Sequence, residues 1–524
     1  MKLWNILTGM AREPHPQISQ MANDIIDYIS NQVEGVGREL ELSRSSSSSL
    51  PPSPNTRDAH PLAHARTLPG SRRGKAGLPH TTSEDSVALR DRERNSTSST
   101  SSQSGKKPIV SSSYVEWASS VFARGCTEAG DEAGGADPES RAHHERVWRY
   151  ARNRSLREEA AGLRGARVVR LDTQAFHSRC PLPPSVVLFH PYEQHAAVAS
   201  KDNFGIWDWG TGAKLCVGAW RRAWGRITAL AYLNAHEHAL LAVASHSGNL
   251  AIYRPAPAST EPALLSAWRA LDVRPAADYR PPPGRPVYMA GGAGGEGGAY
   301  SPTPPPTLLR WSARRRTLAV AGRAPLVRLW DAHTEMLLAD IATDCDAAAT
   351  ALWRGAAGGA GDAGDAGGAA GRQLLCGFAD GSVRAWDERA PPRPLFVLRE
   401  HQAPVLAALH RADAHTLVTG CAAGELRLYD ARKLAAAQTL RAPAPLAAID
   451  VHPLCSLMAC GSVNQSISIY DLKGTPLNTI KFHEGFMGPR IGPVSCLTFH
   501  PLRCAMGVGS KDSSVSVYVS EARR

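Results

Sequence analysis

One phrase occurs twice near the end of the chain, and few folds can hold it. LAAIDVHP (Leu446 to Pro453) leads into SLMACGSVNQSISIYD (Ser456 to Asp471), and VSCLTFHP (Val494 to Pro501) leads into CAMGVGSKDSSVSVYV (Cys504 to Val519). Each reads as three strands: an apolar run ending in His-Pro, a small-residue run, a polar turn, and an alternating strand ending in Tyr. Ile467 and Ile469 alternate with Ser468 and Tyr470, and Val515 and Val517 with Ser516 and Tyr518. That period of two, with β-branched residues, predicts strands in a packed sheet. A unit that recurs along a chain predicts a repeat architecture.

The phrase can be followed back to Pro184. Its terminal aromatics are Trp207, Tyr253, Trp330, Trp386, Tyr429, Tyr470 and Tyr518, and all but Tyr253 and Tyr518 precede Asp. The later steps lie near the roughly 40–45-residue period of WD-repeat propeller blades. The longer steps hold insertions of loop composition at 280–306 and 355–371. Glycine in Ser247-Gly248, Asp380-Gly381 and Ala423-Gly424 suits a tight turn before the terminal strand. The expectation is a mainly β fold, a seven-bladed WD-repeat propeller over 166–524. Little chain follows Tyr518, so ARVVRLDTQAF (166–176) is expected to return as the outer strand of the last blade and seal the ring.

At 524 residues the chain exceeds one compact core. A helical pair is expected over 1–34, where Ile18, Met21, Ile25, Ile29 and Val33 form a stripe at helical spacing; it looks like the last repeat of an α-solenoid. Residues 35–110, rich in Ser and Pro, are expected to be a disordered linker. Within it Ser53, before Pro54, and Ser96, after Arg92 and Arg94, are phosphorylation candidates. Docked helices are expected over 111–165. Tyr114, Trp117, Val121 and Phe122 give the first an apolar face. The second, 139–163, carries Arg141, Arg146, Arg149, Arg152, Arg154 and Arg157 on a wet face and Val147, Trp148, Tyr150 and Ala151 on a buried one. A basic helix also admits an RNA-binding reading.

No enzyme is expected. The ten cysteines include no Cys-x-x-Cys pair, and Cys376, Cys421, Cys460 and Cys496 sit at small-residue strand positions, which suits a reducing compartment. His236 and His238 lack zinc spacing. The His of each His-Pro (His190, His452, His500) repeats with the blades and reads as structural. The net charge of +11 suits a solvated surface. No apolar run reaches membrane-spanning length, and no cofactor or metal is expected. Between two strands, Phe486 and Met487 stand in GFMGPRIG with Arg490 beside them, as candidate protein-binding residues.

ACGSVNQSISIYD (Ala459 to Asp471), GFMGPRIGPVSCLTFHP (Gly485 to Pro501), SSSYVEWASSVFA, ERVWRYARNRSLR and PSVVLFHP (Pro184 to Pro191) resemble the C-terminal portion of the Raptor family, the regulatory-associated proteins of target of rapamycin. The resemblance implies a non-catalytic scaffold subunit of TOR complex 1, binding the TOR kinase and presenting substrates. It implies as partners the complex's subunits, small GTPases at the lysosome and kinase substrates, in the cytoplasm with recruitment to the lysosomal surface. Neither nucleic acid nor membrane insertion is expected. The resemblance begins inside the last solenoid repeat, so the chain is expected to be N-terminally truncated relative to the family. The alternative is a generic WD-repeat platform, or an RNA-binding propeller, unable to join the kinase complex.

Overall fold

The computed structural model describes residues 2–12, 14–29, 113–122, 140–164, 168 and 170–520, apart from 256–260, 275–305, 314, 356–372, 390–392, 412–414 and 482–490. Residues 1–24 and 108–524 form one compact unit. Residues 25–107 form a second, of which only 25–29, the end of a helix over 16–29, is described.

Seven four-stranded antiparallel sheets form the body of the first unit, which also holds helices. Strands are lettered a to d from the inside of each sheet outward. Blades 1 to 6 cover 186–219, 227–269, 308–342, 349–398, 405–441 and 446–481; blade 7 covers 494–519 and takes its outer strand from Thr173–Arg179. Each strand a touches strand a of both neighbours, and blade 7 touches blade 1, so the sheets close into a ring. The chain is a seven-bladed β-propeller.

The ring is sealed at its two ends. Thr173 pairs with Val519 and Arg179 with Ser514, which covers the open edge of the last strand. The strand begins later than the 166–176 span read from the sequence. Leu171, inside that span, is instead fully buried against Ile480, Ile491 and Tyr518, where it anchors the approach to the strand. Each terminal aromatic lies at the end of strand c, and in six blades the c–d ladder bulges there. Gly381 turns between strands b and c with φ of +83°, and a Cβ there would lie 2.1 Å from the His401 carbonyl oxygen, so only glycine fits.

A second bulge repeats near the start of strand a in blades 2, 4, 5, 6 and 7. A bulge re-aims its extra residue. In three of these blades that residue carries a hydroxyl that reaches the next blade. Thr228 donates to Thr307 O (3.1 Å), Thr350 to Val405 O (2.7 Å) and Ser495 to Pro184 O (2.6 Å). Ser185 makes the same link from blade 1 to Ile227 O (3.2 Å). These bonds join four of the seven blade interfaces at the innermost ring, between the apolar clusters that fill the wedges. No helix among the described residues is long and apolar enough to cross a membrane.

Candidate interaction face

Two faces differ by the turns they carry: a–b and c–d turns on one, b–c and d–a turns on the other. The a–b face is where the helices dock. Its turns are held by histidine. His190 Nδ1 accepts from Tyr192 N (3.2 Å) and Glu193 N (2.9 Å) in blade 1; His452 Nδ1 from Leu454 N (3.0 Å) and Cys455 N (2.8 Å) in blade 6; His500 Nδ1 from Leu502 N and Arg503 N (both 3.0 Å) in blade 7. All three are buried. An imidazole that accepts at Nδ1 is neutral and carries its proton on Nε2, and His452 Nε2 lies 2.9 Å from Arg503 O, as that tautomer requires. Burial pulls His190 down to about 4 and His500 to about 3 from the ordinary 6.5. These histidines are structural. Arg411 stands at the equivalent place in blade 5 and reaches across to blade 6, donating to the carbonyls of His452 (2.7 Å), Cys455 (2.8 Å) and Leu454 (3.0 Å).

Helix α1 (Lys2–Met10) and helix α2 (16–29) come first in the chain; His15, just before α2, lies 3.2 Å from Glu335 in the c–d turn of blade 3. Helix α3 (Ser113–Phe122) follows. Its Tyr114 hydroxyl donates to Ala332 O (2.7 Å), and the Arg254 guanidinium lies over the Trp117 ring at 4.5 Å. Tyr114, Val115 and Ala118 are buried among residues of blades 2 and 3.

Helix α4 (Arg141–Ala161), capped by the Ser140 hydroxyl, crosses the a–b turns of four blades. On blade 2, Arg149 donates to Glu237 O (2.9 Å), Asn153 Nδ2 to His236 O (3.0 Å), and Arg146 pairs with the Glu237 carboxylate (3.7 Å). On blade 1, Arg152 pairs with Glu193, and Arg157 donates to the Tyr192 hydroxyl (3.1 Å). Ala160 packs on Leu454 of blade 6 and Leu502 of blade 7. Four of the six arginines read as a wet face, Arg146, Arg149, Arg152 and Arg157, are therefore on the docking face. Val147 and Trp148, read as buried, are 41% and 63% exposed, and Ala151 is exposed too. The reason is the surface beneath: turns present carbonyls and carboxylates, which guanidinium groups satisfy and an indole does not. Arg141 and Arg154, on the outer side, pair with Glu145 and Glu158 one turn on.

The a–b face also holds a buried ion cluster between blades 3 and 4. Arg354 makes two bonds to Glu388 (2.6 and 2.8 Å) and two to Thr317, at O (2.9 Å) and Oγ1 (2.8 Å); Arg315 pairs with the same carboxylate. Glu388 directly follows the Trp386-Asp387 dipeptide, so the repeat marks its place but not its charge partners.

Among the described residues, one cluster has metal-ligating side chains together: His401, Cys421 and Glu425. His401 Nε2 is bonded to Thr419 Oγ1 (2.7 Å), its Nδ1 lies 3.7 Å from Glu425, and Glu425 is held by Arg427 (2.7 Å). Burial pushes the Cys421 thiol up, away from the thiolate that zinc binds. The cluster reads as a clasp between blades 4 and 5. Phe486, Met487 and Arg490, and the linker serines Ser53 and Ser96, lie outside the described residues.

No protein-family model matches the chain. Over 399 residues it is 26% identical to the raptor homolog of Dictyostelium discoideum, covering 73% of this chain and 24% of that protein. It is 24% identical over 360 residues to target of rapamycin complex 1 subunit mip1 of Schizosaccharomyces pombe, covering 67% of this chain and 24% of that one. It is 23% identical over 374 residues to target of rapamycin complex 1 subunit KOG1 of Saccharomyces cerevisiae, covering 66% and 21%. This chain is a relative of Raptor. The crystal structure of Chaetomium thermophilum Raptor has the same fold, with a TM-score of 0.61 at 20% identity, covering all of this chain and 39% of that one. The chain thus spans about a quarter of the length of the curated Raptor relatives it matches.

Proposed function

We propose that this chain is a non-catalytic scaffold module of target of rapamycin complex 1. The observation that carries the reading is its similarity, over two thirds of its length, to proteins named as subunits of that complex. The physical basis is a closed ring that presents turns from seven blades on a rigid frame, with one face covered by its own helices. In this reading the propeller contacts the TOR kinase and its complex subunits and helps present substrates. Small GTPases at the lysosomal surface, reached from the cytoplasm, are further partners in it. The RNA-binding alternative rested on the basic helix. Four of the six arginines named there pair with carboxylates, and Arg149 and Arg157 are held by a backbone carbonyl and a tyrosine hydroxyl of the ring, which speaks against that helix as a phosphate-binding face. The test is a pull-down with the full chain as bait. Retrieval of the kinase supports the proposal; failure to retrieve it with a chain whose circular dichroism shows the folded β content overturns it.

A further inference from the structure

The face opposite the helices carries the b–c and d–a turns, and there the starts of the strands a surround the mouth of the central channel. One backbone bond repeats around that mouth. The first residue of a b–c turn donates its N–H to the residue just before strand a of its own blade. His246 donates to Arg226 O (3.0 Å) in blade 2, Ala379 to Ala348 O (2.9 Å) in blade 4 and Ala422 to Pro404 O (3.0 Å) in blade 5. Val463 donates to Pro445 O (3.0 Å) in blade 6, and Lys511 to Pro493 O (2.8 Å) in blade 7. The carbonyl of the same turn residue accepts from the first residue of the next strand a, as Ala422 does from Leu446 (3.0 Å). By that bond Lys201, accepting from Ile227 (3.0 Å), is the equivalent in blade 1, and Gly322, accepting from Ala349 (2.9 Å), in blade 3. These positions divide the mouth in two. Blades 4, 5 and 6 give it Ala379, Ala422 and Val463. Blades 7, 1 and 2 give it Lys511, Lys201 and His246, with Arg226 bonded to His246 and Arg323 directly after Gly322. Leu271 packs on both Gly248 and Gly322, so the turns of blades 2 and 3 adjoin.

We propose that this cationic side of the channel mouth is a binding site for a compact polyphosphate anion. The nearest carboxylates in sequence are turned to other work. Asp202 pairs with Arg222 (3.4 Å), and Asp512 accepts from Ser514 N (3.2 Å) and Oγ (2.7 Å) within its own turn. Among the described residues, Lys201, Arg323 and Lys511 have no ion pair, and Arg323 Nε and Lys511 Nζ are buried with no hydrogen-bond partner. A buried cationic donor is costly until an acceptor meets it. Burial, then the Arg226 and Arg323 charges, lower the His246 imidazole, and burial lowers both guanidinium groups with no carboxylate opposing it. Several phosphate charges on one small molecule match cations set on four adjoining blades, which one carboxylate would not span. Lysine offers such a ligand a point charge and arginine a fork of donors for its oxygens. The Arg226 backbone is fixed in advance, because its N–H donates to His246 Nδ1 (3.1 Å) while its carbonyl accepts from His246 N.

The experiment titrates the full chain with sodium tripolyphosphate by isothermal calorimetry at constant ionic strength. Saturable binding is expected, about tenfold or more tighter than that of sulfate. Arg323→Gln/Lys511→Gln should weaken it by about tenfold or more without lowering the melting temperature of the free chain. Lys201→Gln changes an exposed side chain, so it reads the site even if the double variant does not fold, and it too should weaken binding. Arg141→Gln/Arg154→Gln removes the same charge from the outer side of α4 and should bind like the wild type. Absence of saturable binding, or equal weakening by the two double variants, overturns the site. Tighter binding of polyglutamate than of tripolyphosphate overturns the ligand class.

Discussion

Acidifying the solution from pH 7 to pH 5 tests the histidine turns directly. His190 and His500 are neutral in the fold because their Nδ1 atoms accept backbone N–H groups and burial penalises the charge. In the unfolded chain both titrate near 6.5. The folded values are depressed, so the stability they contribute is whole above pH 6.5. It is lost as pH falls toward their folded values of about 4 and about 3. At pH 5, about 1.5 pH units below the unfolded value, the proton that each unfolded imidazole takes up and the folded one refuses is worth about 2 kcal/mol. The pair therefore accounts for a loss of about 4 kcal/mol between pH 7 and pH 5. Burial lowers His195, His246 and His401 as well, with the same sign, and raises Asp450, with the opposite sign. A variant comparison removes these common terms. Glutamine at both positions keeps an acceptor near Nδ1 and cannot titrate. Urea unfolding at each pH, followed through the twelve tryptophans, gives the two stabilities. The pH-dependent loss should be smaller by about 4 kcal/mol in His190→Gln/His500→Gln than in the wild type. An equal loss in both proteins would refute the assignment of these turns.

Glu388→Ala leaves Arg354 buried without its carboxylate and should destabilise the propeller by about 3–5 kcal/mol, read as a fall in melting temperature. Asn153→Ala with Arg149→Ala removes two bonds from α4 to blade 2 and should weaken that docking by about 1–3 kcal/mol. Exchange across 141–161 reports it, while the melting of the ring should hardly move. Thr350→Val removes the hydroxyl link from blade 4 to blade 5 and should cost about 1 kcal/mol. Combined with Thr228→Val at the separate interface of blades 2 and 3, the effect should add in denaturant titrations. Deleting 173–179 re-exposes the edge of the last strand and should sharply lower the melting temperature and promote aggregation, measured by light scattering.

The blades were legible because a strand's signal is local. Alternation at Ile467 and Ile469, and an aromatic closing strand c, are set by neighbours two residues away. The closing strand shows where locality ends. Val168, Val169 and Leu171 have strand composition, yet the ladder runs over Thr173–Arg179, a polar stretch. An outer edge strand has one side toward water and tolerates Gln174, His177 and Arg179, whereas Leu171 is drawn into the wedge below. Helix α4 departs from expectation for a related reason. Its apolar residues predict burial only if the surface opposite is apolar, and that surface is made by turns of blades whose order in space the helix cannot encode. What joins one blade to the next is less legible still. The Thr350 hydroxyl meets a carbonyl 55 residues on, and Arg411 meets one 41 residues on. Each partner is a backbone atom, which leaves no trace in the identity of the residue that supplies it. Only the donor is visible in the sequence, and a Thr at the second position of a strand looks like any other Thr. The bulge that turns it toward its neighbour is a property of pairing register, so the bonds that hold the ring are found only once the ring is built.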